Sequence, residues 1–295
     1  MTLVAIDASY WLHKACHVMP SLNRADGEPV GAMLGYSTML WRFIKKPPTP
    51  FTHIVATFDI GGETWRHKLA PGYKASRKEG RKEGRHALWK QRERIYDMTR
   101  AMGVATLMME GVEADDLLAT LAHKYRQLGE RVVIVSSDKD LAQVVVDESL
   151  DAPAVTTWDI NRNEMIDEAG VKVRYGVEPK QIPDWLALVG DVADDIPGVY
   201  GIGKVKAAAI LRNHRTIKSV LDNTAALPVA GSVRETLIVD REQIELSAKL
   251  ATTCRYIQFE ETLDSFAWVG PNIERVLEIC EENGFVELAK RVAGV

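Results

Sequence analysis

The sequence predicts an α/β fold built on a parallel sheet and followed by a helical region. Three short apolar runs, LVAID, HIVATFD and VVIVSSD, end at Asp7, Asp59 and Asp138. Continuous apolar runs of this length are the pattern of strands buried on both faces of a parallel sheet. Helical periodicity lies between and after them, at 30–44, 87–102 and 113–128, the last with Leu117, Leu118, Leu121, Ala122 and Tyr125 along one face. Alternation of the two signals implies βαβ units with right-handed crossovers, and ligands of such sheets gather at the carboxyl ends of the strands.

Along the chain, the first strand is followed by the 30–44 helix and the KKPPTP loop at 45–50, which precedes the second strand. A strongly basic segment covers 66–100. The 113–128 helix opens on Gly111-Val-Glu113-Ala-Asp115-Asp116. VTTWDI and EMID, on either side of Asn161-Arg162-Asn163, predict a hairpin after the third strand. From about Pro179 strand signals fade and helices follow, so a boundary near 178 divides a core at 1–178 from a helical region at 179–295. Neither an internal repeat nor a low-complexity tract interrupts the pattern.

A chain of 295 residues with 46% hydrophobic and 26% charged residues has ordinary globular composition, which excludes disordered and fibrous classes. Three cysteines, Cys16, Cys254 and Cys280, are too few for a disulfide framework or a four-cysteine zinc site, and point to a reducing, cytoplasmic setting. No apolar run reaches the roughly 18–20 residues of a membrane span, and Asp7 interrupts the N-terminal apolar stretch, so neither a membrane anchor nor a signal peptide is expected. The net charge of −4 hides a segregation. Residues 66–100 carry 12 Lys and Arg against 4 Asp and Glu, which leaves −12 on the rest. Such a block is either a solvated helix or a surface with a polyanionic partner.

The acids are clustered. Asp7, Asp59, Glu113, Asp115, Asp116, Asp138, Asp140, Asp191 and Asp194 fall at strand ends, at one helix start and in a later turn. One or two acids in a first turn serve the helix dipole, but three within four residues repel one another. Carboxylates crowded in this way need cations. Hard divalent ions suit oxygen ligands, Mg2+ best where a substrate phosphate completes the shell, and two ions about 3.5–4 Å apart clamp the attacking and leaving oxygens of a phosphodiester. His13 and His17 have the i,i+4 spacing of a helical zinc pair but lack a third ligand, and read as ordinary core or surface residues.

The turn Pro197-Gly198-Val-Tyr-Gly201-Ile202-Gly203-Lys204-Val205-Lys206 precedes a clear helix. It nearly spells a nucleotide-binding P-loop, but Val205 stands where a hydroxyl belongs and no strand precedes it. A better reading is a hairpin between helices. Gly198, Gly201 and Gly203 would let backbone near Ile202 approach a phosphate, helix N-terminal amides would grip it, and Lys204 and Lys206 would add charge.

Taken in order, the strand-end Asp, FD…TWRHKLAPGYKASR, GVEADD, SSDKDLAQ and GDVADDIPGVYGIG resemble the 5′-nuclease (flap endonuclease) family, from about residue 3 to 215 and more weakly beyond. The resemblance implies a PIN-like nuclease core with a helical arch over the site at about 66–100, and a helix–three-turn–helix DNA-binding region. It implies two Mg2+ or Mn2+ sites. One involves Asp7, Asp59, Glu113 and Asp115, with Asp116 between the sites; the other involves Asp138, Asp140, Asp191 and Asp194. Tyr73, Lys74 and Arg77 match the arch signature and Arg66 its upstream arginine, with Lys74 acting on the scissile phosphate. The turn would bind K+ through the carbonyls of Leu188, Val189, Pro197, Val199 and Ile202. Ala8 and Val205 depart from the family pattern, which usually has Gly and Lys at those places.

The function expected is structure-specific 5′→3′ exonuclease and flap endonuclease cleavage of DNA, by a monomer acting beside a separate DNA polymerase. The rivals are a PIN-type ribonuclease with the same acids, a non-catalytic DNA-junction binder, and a HAD-like phosphotransferase. The last needs a second Asp where Ser9 stands.

Overall fold

The computed structural model describes residues 1–19, 22–76 and 82–294, leaving aside the side chains of 82–87 and 89. Its sheet has six strands: β1 (Thr2–Asp7), β2 (His53–Thr57), β3 (Ala105–Leu107), β4 (Arg131–Val135), β5 (Val155–Asp159) and β6 (Glu164–Ile166), in the order β3-β2-β1-β4-β5-β6. The first five are parallel; β6 pairs antiparallel with β5 through Thr157–Ile166 and Asp159–Glu164, which is the expected hairpin. Ile6 lies opposite Ala56 on one side and Val135 on the other. The strand order therefore runs outward from β1 in both directions, and the crevice at this reversal is where an open α/β sheet binds ligands.

Thirteen α-helices are described. In the first half these are α1 (Ala8–Val18), α2 (Gly31–Lys45), α3 (Trp65–Leu69), α4 (Lys82–Ala101), α5 (Ala114–Gln127) and α6 (Glu168–Tyr175). In the second they are α7 (Ile182–Val189), α8 (Lys204–His214), α9 (Ile217–Asp222), α10 (Gly231–Val239), α11 (Arg241–Ala251), α12 (Ile273–Asn283) and α13 (Val286–Ala293). The reading of the sequence had no helix at 8–18, because no loop announces it. Asp7 is both the last residue of β1 and the cap of α1, its Oδ1 accepting from the Tyr10 amide at 2.8 Å.

Two apolar layers enclose the sheet. Val4, Ile6, Ile54, Ala56, Val133 and Val135 face α1, α2 and α4, while Leu3, Ala5, Val55, Val132 and Ile134 face α5. A third cluster, formed by α7 to α11, holds the helical region together. Two expectations change here. The C-terminal helices α12 and α13 return to the first layer, where Val276, Ile279, Cys280, Phe285 and Leu288 pack with the sheet core and Asn272 N donates to Ala101 O. The later part of the basic segment is likewise a core helix: Gln91, Ile95 and Met98 of α4 are buried. Helical periodicity alone does not say which layer a helix joins.

Glycine is required at one crossing of the helical region. A Cβ on Gly198 would lie 2.4 Å from the Val189 carbonyl, and one on Gly190, itself at φ +83°, would lie 2.6 Å from Gly198 N. The two backbones touch. Gly198→Ala is expected to lower stability by about 1–3 kcal/mol through overpacking, read as a shift in the urea midpoint; an unchanged midpoint would contradict this contact.

Candidate active site

The carboxyl ends of β1, β2 and β4 carry Asp7, Asp59 and Asp138 to one edge of the sheet. Each is held by local chemistry. Asp7 caps α1 and its Oδ2 accepts from Ser136 Oγ at 2.7 Å. Asp59 Oδ1 accepts from Ala114 N at 2.7 Å, which seats the start of α5 beside β2 and points Asp115 at the same edge. Asp138 Oδ1 accepts from Asp140 N at 3.0 Å. From the helical region, Asp191 and Asp194 complete a buried group with Asp140 in which one carboxylate oxygen from each lies within 4.8 Å of the others. Asp140 Oδ1 is buried with no hydrogen-bond partner.

Electrostatics binds these acids into one site. Burial pushes Asp7 up to about 7, and Asp138 and Asp59 push the same way against the Tyr10 amide and the Ser136 hydroxyl. Burial likewise raises Asp115 well above the carboxylate range, with Asp138 and Asp7 as the next contributors. Asp140 is raised well above it by burial and then by Asp138 and Asp194. Asp138 acts on all three, and is itself raised, mainly by burial. Asp138 is thus the acid common to the shifts of Asp7, Asp115 and Asp140.

Asp116, expected between the sites, is elsewhere. It is fully buried, and both its oxygens are engaged. Arg66 Nη1 and Nη2 donate to Oδ2 and Oδ1 at 2.8 and 2.9 Å, Trp65 Nε1 donates to Oδ2, and Cys254 N donates to Oδ1. Successive helical residues are about 100° apart, so Asp115 and Asp116 cannot face the same edge. Arg66 is equally committed. Only 3% exposed, it also donates to Glu113 Oε2 at 2.9 Å and to the carbonyls of Leu250 and Thr252 at 2.8 and 3.0 Å. Arg66 therefore joins Glu113 and Asp116 to the C-terminal end of α11, as a buried residue at the basic segment's start.

Tyr73 and Lys74 span the two groups of acids. The Tyr73 hydroxyl lies 3.1 Å from Glu113 Oε2 and 2.9 Å from Asp194 Oδ2, and its ring is buried. Lys74 Nζ lies 3.1 Å from Glu113 Oε1 and 3.5 Å from Asp194 Oδ2. Lys74 adopts φ 52° and its amide donates to Asp194 O; Ser76 N donates to Oδ2 of Asp195, which has φ 55°. Left-handed backbone at a non-glycine residue costs of order 1–3 kcal/mol and is kept where surrounding contacts demand it. Arg77 lies outside the described residues.

Sequence reasoning missed two neighbours of this site. Lys139 Nζ pairs with Asp191 Oδ2 at 2.8 Å. Asp159, a fourth strand-end acid, is turned to Arg174 at 2.7 Å and to Ser137, so it braces the loop behind Asp138. The run VTTWD, though less apolar than the other three, also ends in an acid and could have flagged it. His13 and His17 sit edge to face on α1 with ring centroids 4.7 Å apart.

At the turn, Gly203 caps α8 and a Cβ there would meet nothing within 4 Å. Lys204, Val205 and Lys206 are exposed, Val205 by 86%, while Ile202 is buried as an anchor. Of the three glycines expected to admit a phosphate, Gly203 borders open space; Gly198 serves the chain crossing, and Gly201, at φ +83°, supplies a left-handed turn. The carbonyls of Leu188, Val199 and Pro197 each accept one hydrogen bond, from Val199 N, Ile202 N and Ser247 Oγ. Among the described residues no helix is long and apolar enough to cross a membrane.

A switch-point crevice lined with buried carboxylates, joined to a helical region that supplies further acids, has the donor set of a metal-dependent hydrolase of α/β fold; Ser9, where a HAD-like phosphotransferase would need a second Asp, accepts from Asp59 N. Residues 2–176 match the family described as "5'-3' exonuclease, N-terminal resolvase-like domain", and residues 177–274 match "5'-3' exonuclease, C-terminal SAM fold". The chain belongs to the 5′-3′ exonuclease family. It is 32% identical over 295 residues to a 5′-3′ exonuclease of Aquifex aeolicus, covering 99% of this chain and 95% of that protein. It is 34% identical over 290 residues to DNA polymerase I of Pseudomonas aeruginosa, covering 96% of this chain but 30% of the polymerase. The chain thus spans about a third or less of the length of its DNA polymerase I relatives. The fold is shared with T5 5′-exonuclease in a structure with bound zinc, at 20% identity and a TM-score of 0.69, covering 98% of this chain and all of that one. It is also shared with the catalytic core of Rad2 in complex with DNA substrate, at 16% identity and a TM-score of 0.62, covering 98% and 90%.

Two predictions follow from the geometry. Asp116→Asn leaves Arg66 short of its main counter-charge in the interior and should cost about 3–5 kcal/mol by denaturant unfolding, whereas Asp140→Asn removes a repelling charge and should raise stability in EDTA. The reverse order would put Asp116 in the cluster. For pH, Asp7, Asp115, Asp138 and Asp140 hold protons more tightly folded than unfolded. Between about pH 4 and 7 the native state therefore binds more protons, and stability falls as pH rises. In EDTA the melting temperature should be higher at pH 5 than at pH 8, and divalent ions should recover it at pH 8; a rise with pH in EDTA would contradict the raised values.

Proposed function

We propose that this 5′-3′ exonuclease acts on DNA, removing nucleotides from 5′ ends and cutting 5′ single-stranded flaps near the duplex junction, with two divalent ions, Mg2+ or Mn2+, at its carboxylates. The observation that carries this reading is the buried trio Asp140, Asp191 and Asp194, with the orphaned Asp140 Oδ1, linked through Asp138 to Asp7, Asp59 and Asp115. The donor set fits: oxygen only, anionic, and too repulsive to stay charged without cations. One ion would be held by Asp140, Asp191 and Asp194 and the other by Asp7, Asp59 and Asp115, with Asp138 between them. When bound, such ions polarise the scissile phosphate and lower the pKa of the attacking water.

The chain's own residues do the rest. Lys74, held against Glu113 and Asp194, has its charge where a phosphate oxygen can replace one of those partners. Tyr73 keeps Glu113 and Asp194 aligned across the joint between core and helical region. Arg66 and Asp116 hold Glu113 in place and serve as positioning residues. Lys139 offsets part of the charge of Asp191. Backbone amides at the start of α8, with Lys204 and Lys206, would grip a duplex phosphate in the sequence-independent, salt-sensitive manner of backbone contacts. Val205 there would lie against sugar instead of supplying a third charge. K+ would be held at this turn by the carbonyls of Leu188, Val189, Pro197, Val199 and Ile202, three of which already accept a hydrogen bond. The basic segment, including Arg77, would select a free 5′ end. A separate DNA polymerase would fill the gap, in the cytoplasm near the nucleoid, with this chain acting as a monomer.

The test uses a 5′-labelled DNA flap and a matched RNA flap, each with Mg2+ and with EDTA. Mg2+-dependent cutting of the DNA near its junction is expected, with Asp138→Asn at least about 100-fold slower and its DNA binding in EDTA nearly unchanged, since one preorganised charge is worth roughly that much. RNA-only cleavage would make the chain a ribonuclease, and wild-type turnover by Asp138→Asn would remove the linking role of that residue.

A further inference from the structure

A cavity of about 300 Å3 lies against the opposite end of α5 from the carboxylates, lined by His123, Arg126, Val145, Glu168, Glu178 and Arg255 among others. Arg126 is about 15 Å along the helix axis from Asp116, at ~1.5 Å per residue, so the cavity is separate from the active site. Each arginine is pinned by a backbone carbonyl. Arg126 Nε donates to Pro153 O and Arg255 Nη2 to Gln143 O, both at 2.9 Å. A guanidinium has five N–H donors, so each retains others for a ligand. Among the described residues no Asp or Glu comes within the 4.0 Å ion-pair distance of either arginine.

The acids on the cavity wall are engaged elsewhere. Glu178 pairs with Lys180 at 3.1 Å and Lys172 at 3.6 Å, and Glu168 Oε1 accepts from Asp147 N at 3.1 Å. Burial lowers the pKa of Arg255 without an acid to offset it. Burial, then Arg255 and Arg126, lower that of His123. Partly buried arginines without a counter-ion are uncommon, because the desolvation of the charge is left uncompensated. The planar fork of two guanidiniums matches the oxygens of a phosphate, and the volume suits a small molecule and not a polymer strand.

We propose that this cavity is a binding site for a small ligand carrying a phosphate dianion, with Arg126 and Arg255 taking its oxygens and His123 as a third donor. Two sources supply such a ligand: free phosphate, and a nucleoside monophosphate, the class of product that exonucleolytic hydrolysis releases. Neither requires the carboxylates, so the site stands or falls apart from the metal reading.

The experiment is calorimetric titration of the full chain in EDTA, with inorganic phosphate and with deoxyadenosine 5′-monophosphate as probes. One-to-one binding is expected, at least ten-fold weaker in Arg126→Gln and in Arg255→Gln, and unchanged in Asp140→Asn. Tighter binding of the nucleotide than of phosphate would assign the nucleotide as ligand; equal affinities would assign free phosphate. Should Arg255→Gln fail to fold by circular dichroism, Arg126→Gln, at a half-buried position on α5, carries the test alone. The proposal is overturned if neither probe binds the wild type at millimolar concentration, if Arg126→Gln binds as well as wild type, or if Asp140→Asn abolishes binding.

Discussion

Mutual repulsion among buried carboxylates is the constraint on which the rest of this structure depends. A parallel sheet sends the carboxyl ends of its strands to one edge, and here four of those ends carry aspartates, of which Asp7, Asp59 and Asp138 stay with the site. The start of α5 and the helical region add more. The fold meets the cost with local hydrogen bonds, the Tyr10 and Ala114 amides and the Ser136 hydroxyl among them, and with Lys74 and Lys139. These offsets are partial, since Asp7, Asp115, Asp138 and Asp140 still hold protons too tightly. A site left in this condition favours cations, and its chemistry follows from that imbalance.

Arg66 serves the opposite purpose. It spends all its polarity on internal partners drawn from α5 and its cap Glu113 and from the end of α11. Burial works against its charge, and Asp116 and Glu113 more than compensate, leaving its pKa raised. Because one side chain touches Glu113 and the carbonyls of Leu250 and Thr252, the helical region cannot shift on the core without disturbing the site. Tyr73 and the left-handed Lys74 and Asp195 make a second joint across the same boundary. The paired glycines at 190 and 198 set how closely the turn before α8 folds back on α7. Together these contacts connect the turn proposed to grip duplex DNA with the carboxylates proposed to cut it.

The parallel sheet, its hairpin and the edge at which acids gather were legible in the chain, because strand burial and strand-end geometry are local rules. Asp7, Asp59 and Asp138 follow from them directly. The roles of neighbouring acids did not. Asp115 and Asp116 are adjacent and alike in sequence, yet a rotation of about 100° sends one to the site and the other to Arg66. Asp159 ends a strand as the others do, but Arg174 claims it. Nor did periodicity show that α4, α12 and α13 join the layer over β1, since an apolar stripe does not name its partner.

By itself, then, the sequence determined the elements, the register of acids with strand ends, and the family to which the chain belongs, all of which depend on neighbours close along the chain. Only the tertiary structure decided which charges pair. The partners of Arg66 lie 47, 50, 184 and 186 residues away, and whether a carboxylate meets a buried guanidinium or other carboxylates is settled by burial and direction, which no local pattern encodes.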